Sequence, residues 1–258
     1  MAEKEKFNLT DINHAIVFGA GHGIGLAIVA ELLQENPKVK VFATYNNKAK
    51  ADDLLSLAVD FPVRLEVKHL DPICEKSLGN FSKKLKEDST NIDLIISSIG
   101  FLGHEDIKPE KSLNDINKDT LLKYFAVNSI SSVLIGKYFH RLFPKKTLSC
   151  FASVSAKVGS IEDNRMGGWY GYRSSKSALN MLMKNMALEF SRNKLDIITL
   201  SIHPGTTITE LSKPYISNTK YKLHSPSDTA KNILNVISNQ TIEDTGSFLS
   251  WDGSQIPW

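Results

Sequence analysis

Cysteine is nearly absent: Cys74 and Cys150 are the two thiols in 258 residues. They form no C-x-x-C pair, which excludes a disulfide framework and points to a reducing, cytoplasmic setting. No apolar run approaches the ~18 residues needed to cross a membrane. The opening stretch MAEKEKFNLT is charged and has no apolar core, so no secretory leader is expected. The seven histidines make neither an H-x-x-x-H nor an H-E-x-x-H pair, so no metal site is expected. An excess of one charge is lacking too. With 31 basic against 28 acidic side chains the net charge is +3, which predicts no nucleic-acid partner. Internal repeats, low-complexity tracts and Pro/Gly/Ser linkers are missing as well. The chain therefore reads as one domain over 13–258 behind a flexible tail over 1–12.

What is present is apolar residue in short runs, 41% of the chain, enough for a large core. Runs of strand length at 14–18, 39–45, 63–67, 92–96, 148–155, 197–202 and 247–251 alternate with helical patterns. Those patterns cover 24–34, 51–59, a Lys-rich stretch ending near 86, a long segment over 118–143, then 170–192 and 228–238. The strand runs are apolar on both faces, as a parallel sheet covered by helices requires. The expectation is an α/β fold: a single doubly wound parallel sheet of the Rossmann type, with helices on both faces.

The first strand runs into Phe18-Gly19-Ala20-Gly21-His22-Gly23-Ile24-Gly25. Glycines at 19, 23 and 25 permit a tight strand-to-helix turn that lets backbone approach a pyrophosphate and aims a helix N-terminus at it. Turn chemistry alone is the plain alternative, but the place after the first strand favours a dinucleotide. An NAD site puts an acid at the end of the second strand. Here that end reads Tyr45-Asn46-Asn47-Lys48, with no acid before Asp52, and His22 precedes the second glycine. The missing acid removes a repulsion against a 2′-phosphate and favours NADP(H) over NAD(H), although His22 and Lys48 also fit a merely solvated loop. Tyr172 and Lys176 are spaced i, i+4 in the helix over 170–192 and share one face. An ammonium beside a phenol lowers its pKa and suits it to proton transfer at a carbonyl or alcohol oxygen. Taken singly, such a pair is common on helix surfaces.

In order along the chain come the glycine turn, Asp71, Asn128 in FAVNS, a strand serine, Tyr172-x-x-x-Lys176, Pro204-Gly205 and Thr209. With these motifs the sequence resembles the short-chain dehydrogenase/reductase family over nearly its whole length. Stretches such as SAKVGSIEDNRMGGWYGYRSSKSALNM and DGSQIPW are similar to a narrower branch around the bacterial C-factor, a cell–cell signalling homologue. The resemblance implies hydride transfer between NADP(H) and a small carbonyl or alcohol substrate. Tyr172 would be the general acid/base, Lys176 would bind ribose and tune Tyr172, and Asn128 would hold a relay water. It places the cofactor against Gly19, Gly21, His22, Gly23, Ile24, Gly25, Asn46, Asn47, Asp71, Ser98, Gly100, Tyr172, Lys176, Pro204, Gly205, Thr207 and Thr209. By family analogy the protein would be a homodimer or homotetramer.

Two stretches depart from the family pattern. Ser97-Ser98-Ile99-Gly100 stands where many members have Asn-Asn-Ala-Gly, and Ser155-Ala156-Lys157-Val158-Gly159 puts alanine at the active second serine. Ser155 is then the expected oxyanion donor, because it shares a strand face with Ser153 and lies nearer the sheet's C-terminal edge. Ser160 is the other candidate, and a purely structural serine is the plain alternative. A nucleotide-binding signalling protein without required turnover is the rival to the enzyme. Phe101, Leu102, His104, Trp169, Leu211, Tyr215 and Trp258 are expected in or near loops that either line a substrate pocket or pack the core.

Overall fold

A computed structural model of the chain describes residues 5–103, 106–217 and 221–258. The strands are β1 (His14–Phe18), β2 (Lys40–Tyr45), β3 (Leu65–His69), β4 (Leu94–Ser97), β5 (Ser149–Val154), β6 (Ile197–His203), β7 (Thr206–Thr207), β8 (Leu223–His224) and β9 (Ser247–Ser250). The helices are α1 (Gly23–Glu35), α2 (Asp52–Asp60), α3 (Glu75–Glu87), α4 (Lys118–Phe125), α5 (Ser131–Phe139), α6 (Tyr170–Arg192) and α7 (Pro226–Ser238). Seven strands form one parallel sheet in the order β3-β2-β1-β4-β5-β6-β9, and β7 pairs with β8 outside it. The order reverses between β1 and β4, so a crevice opens there beyond the strands' carboxyl ends.

Helices cover both faces because the strands are apolar on both. On one side Ile28, Val29, Leu32, Leu33, Leu54, Ile233 and Ile237 of α1, α2 and α7 pack on Val17, Val41 and Ile96. On the other, Leu78, Phe81, Ile135, Phe139, Leu179 and Met183 of α3, α5 and α6 pack on Ile16, Ile95 and Phe151. Among the described residues no helix is long and apolar enough to cross a membrane, and no cluster of three metal-ligating side chains occurs.

Three expectations change in detail. The long helix over 118–143 is interrupted. A π-turn at Ala126–Ile130 separates α4 from α5, and a 3-10 turn at His140–Leu142 ends it. The wide turn seats buried Asn128 and Ser129 against α6, an irregularity often found at functional sites. The third strand starts two residues later than its apolar run, because Phe61 O accepts the N–H groups of Arg64 and Leu65 in a turn and leaves Val63 exposed. Residues 5–12 are no loose tail. Phe7 is buried and donates its N–H to Gln240 O at 3.0 Å, while Asn36 Nδ2 donates to the carbonyls of Leu9 and Ile12, both at 2.9 Å. One aromatic in a polar decapeptide has no periodicity to betray it.

Candidate active site

The crevice at the strand ends has a volume of about 1420 Å³. Its floor at one end is the glycine turn. Gly19 has φ +77°, a conformation that disfavours any side chain. A Cβ at Gly25 would stand 2.2 Å from Gly19 O, so α1 packs on the turn only as glycine allows. The amides that open α1 point into the crevice uncapped, since His22 is extended and makes no side-chain cap bond. Such an end is built for an anion, and this donor set fits a dinucleotide's pyrophosphate.

Gly19, Gly21, His22, Gly23, Ile24, Asn46, Asn47, Asp71, Ser98, Gly100, Pro204, Gly205, Thr207 and Thr209 all line the crevice with Tyr172 and Lys176, whereas Gly25 lies behind it. The loop after β7 folds over the turn: Thr209 Cγ2 lies 3.4 Å from a Cβ position at Gly23. Glu210 beside it binds Lys50 Nζ at 2.6 Å, a pair 160 positions apart that the sequence does not announce. Burial holds the His22 imidazole below its ordinary pKa, with Glu210 pulling the other way. Asn47 caps the turn after β2 through Ala49 N–H.

Tyr172 and Lys176 sit in the first two turns of α6. Lys176 is buried and donates to Val154 O at 2.9 Å, with Nζ 6.0 Å from the Tyr172 ring centroid. Burial pushes the Tyr172 phenol up to about 12 and the Lys176 ammonium down to about 7. In the cofactor-free crevice desolvation of both groups thus opposes the expected lowering of the phenol by its neighbour. The sign of the lysine's effect on stability follows. Its folded pKa lies below the unfolded value, so burying the charge costs most below pH ~7 and the cost fades as pH rises toward ~10. In cofactor-free protein, the melting temperature of wild type relative to Lys176→Met should therefore climb from pH 7 to pH 10; a flat difference would refute the shift.

Asn128 is buried in the π-turn and braced on two sides. Its Nδ2 donates to Phe101 O at 2.8 Å and Ser175 Oγ at 3.0 Å, and its Oδ1 accepts Phe101 N–H at 2.6 Å. With both Nδ2 hydrogens used, the side chain ties the loop after β4 to α6 from behind the crevice, and Oδ1 keeps a second lone pair as an acceptor. Ser155 lines the crevice, with its hydroxyl turned to a partner on α6. Ser153 and Ser155 do share a face, but that face lies under α5 and α6. Ser153 meets Ser132 Oγ at 3.1 Å, and Ser155, 2% exposed, donates to Asn180 Oδ1 at 2.7 Å. Ser160 donates to Trp258 O at 3.3 Å and accepts Asp163 N–H at 3.0 Å. All three hydroxyls carry hydrogen bonds to other groups, and Ala156 lines the crevice beside Ser155.

Leu102, Trp169, Leu211 and Tyr215 line the outer crevice, with Trp169 edge-on to Tyr172 at 6.1 Å and to Tyr215 at 5.3 Å. Phe101 packs on Tyr124 and Trp258 on Phe248, and His104 lies outside the described residues. Glu110, which no motif marks, is buried against the first turn of α6.

A family model described as short chain dehydrogenase matches residues 13–220. The chain is 24% identical over 253 residues to an uncharacterized oxidoreductase of Schizosaccharomyces pombe, covering 94% of this chain and 96% of that one. It is 26% identical over 167 residues to the C-signal of Myxococcus xanthus, covering 65% and 93%. In structure it is similar to an NADPH-bound carbonyl reductase from chicken fatty liver, with TM-score 0.85, 25% identity and coverage of 96% and 94%.

Proposed function

The chain belongs to the short-chain dehydrogenase family, and from that premise we propose that it is an NADP-dependent carbonyl reductase with Tyr172 as its general acid. The observation that carries this is the pair Tyr172 and Lys176 in the crevice of the glycine turn, with Lys176 fixed by Val154 O. The uncapped opening of α1 would hold the pyrophosphate, Asp71 would face the adenine, and Thr207 and Thr209 would flank the nicotinamide end. When bound, the nicotinamide supplies the hydride that reduces the carbonyl carbon.

A phenol is already protonated at neutral pH and burial moves the pKa of Tyr172 further up, so a proton stands ready as negative charge develops on the substrate oxygen. Transfer of that proton completes the alcohol and leaves a phenolate, which solvent reprotonates. Lys176 lies close enough to favour the phenolate during its brief life. Trp169, Tyr215 and Leu211 form an apolar, aromatic wall that suits a bulky carbonyl compound and excludes water from it. The exposed Leu122 on α4 and Met181 and Leu188 on α6 support a symmetric homodimer or homotetramer.

The cofactor preference has a direct check. The end of β2 carries Tyr45-Asn46-Asn47-Lys48 and no acid. Titration should give tighter binding of NADPH than of NADH; equal or tighter NADH binding would sink the preference. Activity itself is read as loss of reduced-nicotinamide absorbance over a panel of aldehydes, ketones and quinones. A second reading rests on Ala156 and on the C-signal relative: a protein that binds nucleotide and signals without turnover. Tight NADPH binding with no panel carbonyl consumed would favour it.

A further inference from the structure

We infer that Glu110 is a positioning residue that caps the catalytic helix from outside it and so sets the position of Tyr172; this rests on the reading of Tyr172 as the acid. A helix leaves its first N–H groups without partners, and an N-cap residue usually meets one of them with a side-chain oxygen from an extended backbone. The N-cap of α6 does neither. Trp169 is left-handed, with φ 51° and ψ 43°, and offers no side-chain cap. It follows Gly167 and Gly168, both also at positive φ.

Glu110 supplies what Trp169 cannot. Its carbonyl oxygen accepts Trp169 N–H at 2.5 Å, and its carboxylate Oε2 accepts Gly171 N–H at 3.1 Å across 61 positions of sequence. The residue is 2% exposed. Its Oε1 has no hydrogen-bond partner, and no cation pairs with the carboxylate, among the described residues. A buried acid without a counter-ion is costly unless its surroundings favour the charge. Here the favourable field is the positive end of a 23-residue helix.

The contact continues directly to Tyr172. A Cβ at Gly171 would stand 2.9 Å from Glu110 Oε1 and 2.3 Å from the Tyr124 ring, so the three groups are packed without slack. Tyr124 is anchored by its hydroxyl on Leu102 O at 2.6 Å, and its ring meets that of Tyr172 edge-on at 6.4 Å. The carboxylate thus fixes the amide of the residue before the acid, and the ring wedged beside it fixes the acid's own ring.

The test compares wild type, Glu110→Gln and Glu110→Ala. Misplacement of a catalytic group by about 1 Å can cost on the order of 10²-fold. Glu110→Ala should lower kcat by that order with KM and the NADPH Kd unchanged, and Glu110→Gln, which keeps an oxygen for Gly171 N–H, should recover to within a few-fold. Amide exchange at Gly171 should be fast in Glu110→Ala and slow in Glu110→Gln. Unchanged kcat in Glu110→Ala, or a kcat loss shared equally by both variants, would overturn the assignment. Should wild type reduce no carbonyl, the catalytic reading fails separately. Gly171 exchange then decides alone: faster in the alanine variant supports the cap, and equal rates in all three proteins overturn it.

Discussion

Tyr172→Phe should bind NADPH as wild type does and reduce almost nothing. The ring packs edge-on to Trp169 and Tyr124, and phenylalanine preserves both contacts. The hydroxyl alone is lost, and with it the proton that meets the developing alkoxide. General acid groups typically contribute 10²–10⁴-fold, so kcat should fall by roughly that range. Lys176 keeps its bond to Val154 O, which does not involve the phenol, and the cofactor crevice should therefore keep its shape. Fluorescence titration with NADPH and turnover on the best panel substrate separate the two effects. Full activity in the variant would end the proposed mechanism.

Ala156→Ser should raise turnover. The chain presents a methyl group at the position where the family resemblance puts a hydroxyl against the substrate oxygen, and the neighbouring Ser155 is committed to Asn180 beneath α6. On the proposed mechanism, the wild-type site would then stabilise developing oxyanion charge with Tyr172 and without a hydroxyl at position 156. One oxyanion donor is typically worth on the order of 10²-fold in kcat. Ala156 is half-buried with an extended backbone, φ −154° and ψ 142°, which serine adopts without strain. Ser155→Ala is the control. It removes a buried hydroxyl and should lower the melting temperature while leaving the rate constant per folded molecule nearly unchanged. If Ser155→Ala abolishes turnover and Ala156→Ser adds nothing, Ser155 must move out from Asn180 to serve the substrate.

Much of this architecture was legible from periodicity. Each of the seven sheet strands lay within two residues of an apolar run, because a covered parallel strand must be apolar on both faces and its neighbours must be helices. The crevice was legible from glycine, since only glycine lets Gly25 approach Gly19 O so closely. What could not be read was anything that depends on partners distant in sequence. Alternation put Ser155 and Ser153 on one face correctly, yet whether that face looks at substrate or at Asn180 is decided by where α6 lies. Asn128 followed the motif but turned its amide to Phe101 and Ser175. Spacing shows the lysine near Tyr172 and does not show that Lys176 is buried while Tyr172 is half-buried. Glu110 sits in a polar run, and its purpose emerges only when an amide 61 positions later points at it.

The closing of the chain on itself bears on how it is made. Strands β1 to β4 need nothing beyond residue 97 to pair with one another, so half the sheet can form while the ribosome is still at work. The face of α1 is a different matter. It packs against Ile233 and Ile237 of α7, and Phe7 docks on Gln240, so part of its cover emerges long after that half-sheet. Until then the part of α1 that α7 covers remains open to solvent and to other nascent chains. Synthesis that stalls before residue 226 would therefore release a half-built sheet with a sticky flank, a natural client for chaperones.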